Sequence, residues 1–354
     1  MVDFQAVEFD VALETLRSPY AAEELHEHRQ RVLFVRLPEN LSNVTSKKAS
    51  EFFDRAKLLN MVTVAGVLDP QPEISHEVLS AFDLVFTTSD TACEAVVKVF
   101  DIDEAVAEIV QAVERNPHST IMLAQLLRQR AFMDVSTGLV SESLVYASLQ
   151  SGPEFQTWLS ERSDSSAKNN TAPAVLSERH GMRLELSLNR PNRANAFSIA
   201  MRDELVEQLR LANSDASIEQ IILKGEGKSF CSGGDLSEFG LFDNAPEAHF
   251  TRMARSPAFW MHKLKDQTTV YLRGNCIGAG IELPAFSKEV IADETLTISL
   301  PEIKMGLIPG SGGTVSIPRR IGPQKTAYLA ISGKSIDLET AISWKLVDKI
   351  EPTP

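Results

Sequence analysis

GNCIGAGIELPA, residues 274–285, is the stretch on which the reading of this chain turns. It follows a strand-like run, TTVYLRG (268–274), and from Ile277 onward its small and apolar residues open a helix. Gly278 and Gly280 lack a Cβ, so the backbone of the turn can approach closely whatever lies against it. Glu282 stands in that helix between Ile281 and Leu283, which predicts a buried carboxyl pushed above its usual range.

Working outward, the pattern of strand, glycine turn and helix recurs on both sides. Upstream, the buried strand IIL (221–223) runs into GEGKSFCSGGDL (225–236). Downstream, VIA (290–292) and TLTISL (295–300) lead to LPEIKMGLIPGSGG (300–313), whose glycines enter another helix. Earlier still, LELSL (184–188) is a strand, RPNRANAFS (190–198) a polar turn, and Met201, Leu205 and Leu209 mark a helix from about Ala200 to Asn213. Strands alternating with helices define the α/β class.

The first half has its own pattern. RVLFVRL (31–37), MVTVAGVL (61–68) and DLVFTT (83–88) read as strands. From Asp101 to Arg162 the text is helical, with Ile102, Val106, Ile109, Val110 and Val113 on one face and a break at Asn116–Pro117. SERSDSSAKNNTAPAVLSERHG (160–181) is polar and aperiodic and reads as a linker, so the expected domains are 1–165 and 181–354 joined by 166–180.

Composition bounds the function. The chain has 354 residues, 43% hydrophobic and 23% charged, in the range of a soluble globular protein. A net charge of −13 argues against a nucleic-acid or anionic-membrane partner, although local arginines and helix ends can still bind a phosphate. Cys93, Cys231 and Cys276 show no metal-ligand spacing, and the seven histidines form no triad or metal pattern, so no metal is expected. The opening MVDFQAVEFD lacks a basic-then-apolar signal, and no apolar run reaches transmembrane length; a cytoplasmic location is the expectation.

Together, RPNRANAFS, SFCSGGDL (229–236), GNCIGAGIELPA and LPEIKMGLIPGSGG, in that order, resemble the crotonase (enoyl-CoA hydratase/isomerase) superfamily from about Arg183 to Ile350. The resemblance implies a crotonase (ClpP-like) fold of repeated ββα units. It implies an acyl-CoA substrate, no cofactor beyond the coenzyme A that the substrate carries, and a homo-oligomer, a trimer or hexamer. Glu282 and Glu302 match the two glutamates with which the family's hydratases handle water and the α-carbon proton. The amides of Gly234 and Ala279 match the oxyanion hole that stabilises the enolate-like thioester oxygen. Ala279 stands where glycine is usual, which a negative φ tolerates. Asn192, Arg193, Ala194 and Ala196 fall in the segment that wraps coenzyme A, with Arg193 toward a phosphate. Ser232, Gly233, Asp235 and Leu236 belong to the first loop, and Gly310 to the third turn, where a helix start would further polarise the carbonyl. Phe239, Leu241, Phe242, Phe250, Met253, Phe259 and Trp260 lie in the variable acyl-pocket segment.

The resemblance ends at LVDKIEPTP (346–354), where typical members continue into helices that cover the site. Residues 116–162 resemble that tail, and 59–92 resemble a worn second-loop region without its glycine run. The expectation is a degenerate, non-catalytic crotonase-like first half whose helices serve the second half. Hydration of a 2-enoyl-CoA leads the functional reading. Isomerase, hydrolase or cofactor-free oxygenase chemistry, or a non-catalytic acyl-CoA-binding subunit, remains open.

Overall fold

Each strand-like run of the first half becomes a strand of one parallel sheet. A computed structural model describes residues 5–38, 41, 44–68, 72–91, 93–129, 133–162, 172–242 and 244–353. The chain forms two compact units: residues 1–132 with 321–333, and residues 133–320 with 334–354.

In the first unit, β1 (Val7–Glu8) leads to α1 (Phe9–Arg17) and α2 (Ala21–Glu27), and β2 (Val32–Arg36) to α3 (Ser46–Ala56). β3 (Val62–Gly66) precedes α4 (Pro72–Leu79), and β4 (Leu84–Thr87) precedes β5 (Val97–Lys98). The five strands pair in the order of the chain, all parallel. All residues of β3 and β4 are buried, as the continuous apolar text of a sheet covered on both faces requires. α5 (Ile102–Arg115) follows, capped by Asp101, whose side chain accepts from the Glu104 amide at 2.8 Å. Asn116 closes it, and Pro117 opens α6 (Pro117–Gln129), where the proline's missing N–H costs nothing. Arg128 of α6 reaches Asp83 through two bonds of 2.7 and 2.6 Å.

The other tail helices, α7 (Val135–Gln150) and α8 (Pro153–Glu161), belong to the second unit, which takes in residues 133–320 and so includes the polar stretch. The expected boundary therefore differs from the observed one: the units part at residue 132, between helices that read as one tail. Residues 166–171 of the expected linker lie outside the described residues. Residues 175–180 are not linker but β6 (Val175–His180), a hairpin partner of β7 (Arg183–Leu188). An edge strand with only Val175 buried carries polar residues, and its composition imitates a loop.

The second unit continues with α9 (Ile199–Ser214), β8 (Gln220–Gly225), α10 (Ala245–Ala254), α11 (Pro257–Lys263), β9 (Thr268–Leu272), β10 (Asn275–Ile277) and α12 (Ala279–Glu282). β11 (Glu289–Ala292), β12 (Thr297–Ser299), α13 (Gly313–Ser332), β13 (Ile336–Asp337), α14 (Leu338–Ser343) and β14 (Lys349–Ile350) complete it. Six strands form one sheet in the order β14-β11-β9-β8-β7-β6, and β10-β12-β13 form a second. β9–β10–α12 is thus a ββα unit with its two strands in different sheets, and β11–β12 repeats the pairing, as the crotonase fold implies. The described strands of the first unit all lie in one sheet. α13 departs from helical geometry at Gly322 (φ 82°), and residues 321–333 around and beyond the bend belong to the first unit. No described helix is long and apolar enough to cross a membrane.

Candidate active site

Parallel pairing lines up four motif segments side by side. β10 pairs with β12, Asn275 opposite Thr297 and Ile277 opposite Ser299. On its other flank, Cys276 bridges Cys231, with the Cys231 amide donating to the Asn275 carbonyl and the Ile277 amide to the Cys231 carbonyl. The first loop bridges in turn to the polar segment at 194–197: Phe197 N donates to Gly233 O at 2.7 Å and Asp235 N to Phe197 O at 3.0 Å.

This register explains the two amides. Gly234 lies three residues after Cys231 and Ala279 three residues after Cys276, so the bridged pair brings both to the same level. Gly233 and Asp235 make the bonds to Phe197, and the Gly234 N–H between them points the other way, because alternate ladder residues bond to opposite sides. The Gly278 amide is used by Ser299 O, and Ala279 is the first residue of α12, where an N–H has no intrahelical partner. Neither the Gly234 nor the Ala279 amide donates to a described protein acceptor. Gly278 takes φ 50°, while Ala279 is not among the positive-φ residues, so alanine is tolerated there.

The carboxylates surround the same turn. Glu282 is 2% exposed, and its Oε2 accepts from the Ser311 and Gly313 amides at 2.7 and 2.9 Å. Glu302, 9% exposed, begins the short 3₁₀ turn Glu302–Met305, and its Oε2 is buried without a hydrogen-bond partner among the described residues. A Cβ placed on Gly278 would strike Glu302 Oε1 and lie 3.6 Å from Glu282 Oε1, so both carboxylates face this one glycine. Burial first, then the charges of Glu302 and Glu142, pushes the Glu282 carboxyl well above its usual range. Burial likewise raises Glu302, to about 8, with Glu142 adding to the effect.

Glu142 escaped the sequence reading altogether. It comes from α7, is 2% exposed, and accepts from Gly312 N at 2.7 Å, Thr314 N at 3.0 Å and Thr314 Oγ1 at 2.6 Å. Glu142 and Glu282 thus take alternate amides at the start of α13. The helix starts at Gly313, three residues after Gly310, and its first amides point at these two protein carboxylates. That corrects the expectation of a helix end free to polarise a thioester carbonyl. Gly310 itself lies under the Tyr146 ring of α7, where any Cβ would collide. In sequence Glu142 was one glutamate among small residues, and no motif set it apart.

The remaining expected residues divide into two groups. Asn192 is exposed, Ala194 and Ala196 are half-buried, and Arg193 keeps 43% of its side chain exposed while reaching Asp235 at 3.3 Å. Asp235 is committed to the protein: it is 3% exposed and accepts from Arg190 at 2.8 Å and from Ser237. Burial opposes its charge, but the Ser237 and Arg190 hydrogen bonds prevail and hold its carboxyl below the usual range. Asp235 thus fixes the loop around Gly234 instead of facing a ligand. Ser232 ties the loop to Ala194 O at 3.0 Å, and Leu236, 45% exposed, gives its carbonyl to Arg162 of the tail. Of the acyl-segment residues, Phe239 meets the first loop: its ring lies 2.8 Å from where a Gly234 Cβ would stand, beside Phe155 and Trp158 of α8. Leu241, Phe250 and Phe259 are exposed.

Asn195, between two of the expected binding residues, is the anchor of its turn. It is fully buried at φ 54°; Nδ2 donates to Glu226 O and Ser229 O at 2.8 and 2.9 Å, and Oδ1 accepts from Arg190 N at 2.7 Å. Asn195→Ala is expected to lower unfolding stability by about 1–3 kcal/mol, since buried backbone groups lose their partners. Urea denaturation followed by circular dichroism measures it. Cys231 and Cys276 are buried thiols, and burial pushes the Cys231 thiol up to about 12, as packing residues require. No described cluster of three His, Cys, Asp or Glu is placed to hold a metal ion.

The second half of the chain is similar in sequence to known proteins. The sequence model of the family Enoyl-CoA hydratase/isomerase matches residues 181–354. The 2,3-dehydroadipyl-CoA hydratase of Escherichia coli is 33% identical over 172 residues, covering 48% of this chain and 66% of that protein. A Mycobacterium bovis protein, named "Probable enoyl-CoA hydratase echA8", is 30% identical over 186 residues, 51% of this chain and 70% of its own length. A solved enoyl-CoA hydratase from Thermoplasma volcanium is 31% identical, with a TM-score of 0.47 over 51% of this chain and 72% of that one. The chain spans 66% and 60% of the Escherichia coli relative and of one from Dictyostelium discoideum. Its four motif segments in register, and this likeness in sequence over the second half, make the chain a member of the enoyl-CoA hydratase/isomerase family of the crotonase superfamily.

Proposed function

We propose that the second unit hydrates 2-enoyl-CoA thioesters, or runs the reverse dehydration. The observation that carries this is the convergence of two buried carboxylates on Gly278, next to an unused amide at Ala279. As water's oxygen bonds to the β-carbon, a carboxylate takes its proton. The alkene electrons move onto the thioester oxygen, and the Gly234 and Ala279 amides hold the enolate. The other carboxyl then delivers its proton to the α-carbon, which restores the thioester. The two amide donors on Glu282 oppose its burial without overcoming it, and Glu302 is raised as well, so the pair holds on to a proton that one carboxyl gives while the other takes water's. Coenzyme A is read as lying along 192–196, with the exposed part of Arg193 toward a phosphate. No further cofactor is invoked. A homo-oligomer, a trimer or hexamer, is the assembly that the family resemblance implies.

Two buried glutamates favour hydration over isomerase-type chemistry, which needs only one proton-shuttling group, and over a purely binding role, which needs none. The test is direct. Purified protein is mixed with crotonyl-CoA and with longer, ω-carboxy and cyclic 2-enoyl-CoAs, and the conjugated enoyl absorbance is followed. Loss of absorbance with appearance of the 3-hydroxyacyl-CoA is the expected result. Binding across the whole panel without turnover would overturn the proposal.

A further inference from the structure

A third buried glutamate joins the pair, and it is carried by a helix from the other half of the sequence. Glu142 holds Gly312 and Thr314, while Glu282 holds Ser311 and Gly313. Four successive residues of one turn are thereby shared between two carboxylates, and neither can shift without releasing amides to the other. A Cβ on Gly313 would lie 2.7 Å from Glu282 Oε2, and one on Gly138 of α7 would lie 3.0 Å from Val315, so backbone contacts at both ends keep this spacing.

We propose that Glu142 is a positioning residue for the Glu282–Glu302 pair: its charge keeps one proton on the pair, and its hydrogen bonds hold the glycine turn that aims Glu282. This rests on reading the pair as the acid/base couple. Addition of water needs one carboxylate and one carboxylic acid, and an added negative charge nearby makes loss of the last proton harder. Burial raises Glu142 to about 7, against hydrogen bonds from Thr314 and Gly312 and the nearby Arg252, so it is substantially charged just above neutrality. Glu142 also raises the proton affinity of both Glu282 and Glu302.

Few charged and titratable groups of the described residues surround it. Arg252 of α10 stacks 4.4 Å over the Tyr146 ring and bonds Gln150 and Ser143, and its attraction favours the Glu142 charge. His249 bonds Ser143 at 2.9 Å. Burial raises the Tyr146 phenol, with Glu302, Glu282 and Glu142 contributing, so it stays neutral throughout the working range. Arg252 spends its hydrogen bonds on the neutral Ser143, Ala248 carbonyl and Gln150, and acts on Glu142 only from a distance. The three carboxylates are therefore left to divide their protons among themselves.

The test compares Glu142→Gln with the wild type. In this variant the charge is gone, and the freed amides can turn to Glu282 and favour its anion; both effects lower the proton affinity of the pair. The alkaline limb of the kcat profile should move down by about 1 pH unit, with kcat at pH 8 falling about fivefold and KM little changed. Thr314→Val removes the hydroxyl on Glu142 Oε2, disfavours its charge, and should move the limb the same way by less; it serves if the first variant folds poorly. Infrared titration of the buried carboxylic acid band reads the same protonation without turnover. A shifted band in a protein that hydrates none of the enoyl-CoAs would keep the coupling and remove the hydratase reading. An unmoved band and limb, with activity falling only as thermal stability falls, would overturn the inference.

Discussion

Glu302→Gln is expected to lower kcat by about 10²–10⁴-fold while coenzyme A affinity stays unchanged. The size follows from the role. A glutamine can neither give up nor receive the α-carbon proton, which corresponds to about 3–5 kcal/mol of barrier. Glu302 is also the cleaner of the two carboxylates to replace. Its Oε2 has no hydrogen-bond partner among the described residues, so an amide of the same shape need break no bond there, whereas Glu282 holds two backbone amides through one oxygen. A glutamine in place of Glu282 would hold those amides less tightly and loosen the turn before α13. The comparison therefore separates chemistry from architecture: Glu302→Gln should keep the wild-type melting temperature and Glu282→Gln should not. Steady-state kinetics, calorimetric titration with coenzyme A and thermal scans measure the three quantities. A kcat within tenfold of wild type for Glu302→Gln would remove it from the reaction.

Arg128→Ala is expected to destabilise the first unit by about 3–5 kcal/mol, the largest stability effect of any single change proposed. Arg128 and Asp83 leave only 5% and 4% of their side chains exposed. The guanidinium also donates to the carbonyls of Ala56 and Met61 at 2.9 and 2.6 Å, and Asp83 accepts from Thr63 N at 2.8 Å and Thr63 Oγ1 at 3.0 Å. Removing the cation leaves a buried carboxylate and orphaned carbonyls, a much greater loss than that of an exposed ion pair. Replacing both partners, as Asp83→Leu with Arg128→Met, should cost less than Arg128→Ala, because no charge is then left unpaired. Denaturant midpoints of the single and double variants decide it; a double variant weaker than the single one would show that the pair contributes through packing instead.

The sequence made β7, β8, β9, β11 and β12 of the second unit and the burial of Glu282 legible, because short apolar runs and glycine turns are local signals. β7, β8, β9 and β11 fall on the runs read as strands, and Glu282 is buried as its neighbours Ile281 and Leu283 suggested. α7 shows why the rest was hidden. Its docked face carries Gly138, Glu142, Ser143 and Ala147, while Val140 and Leu144 are 39% and 53% exposed. With Leu139 and Leu149 buried as well, apolar residues lie on both sides of the helix and give it no direction, and the turn of backbone amides that it meets calls for a carboxylate. β6 failed for a related reason, its side chains being those of a solvent-facing edge. The exchange of helices was visible only as a likeness of 116–162 to a tail, and the parting at residue 132 left no mark in the text.

The bend at Gly322 has a consequence for how the protein is made. Gln324, beyond the bend, donates to Phe82 O across 242 residues of chain, and Glu142 meets Gly312 across 170. A ribosome emits the chain from one end, so the first unit must wait for the helical residues 321–333 before its packing is complete, and α7 must wait nearly as long for its turn of amides. Until then Glu142 is an acid with no partner there, and each nascent unit exposes apolar surface meant for a segment not yet synthesised. Contacts of such range slow folding and lengthen exposure to aggregation. Cutting the gene between the halves would leave both pieces missing a part of their own cores, and co-expression of the two fragments would be needed to recover either.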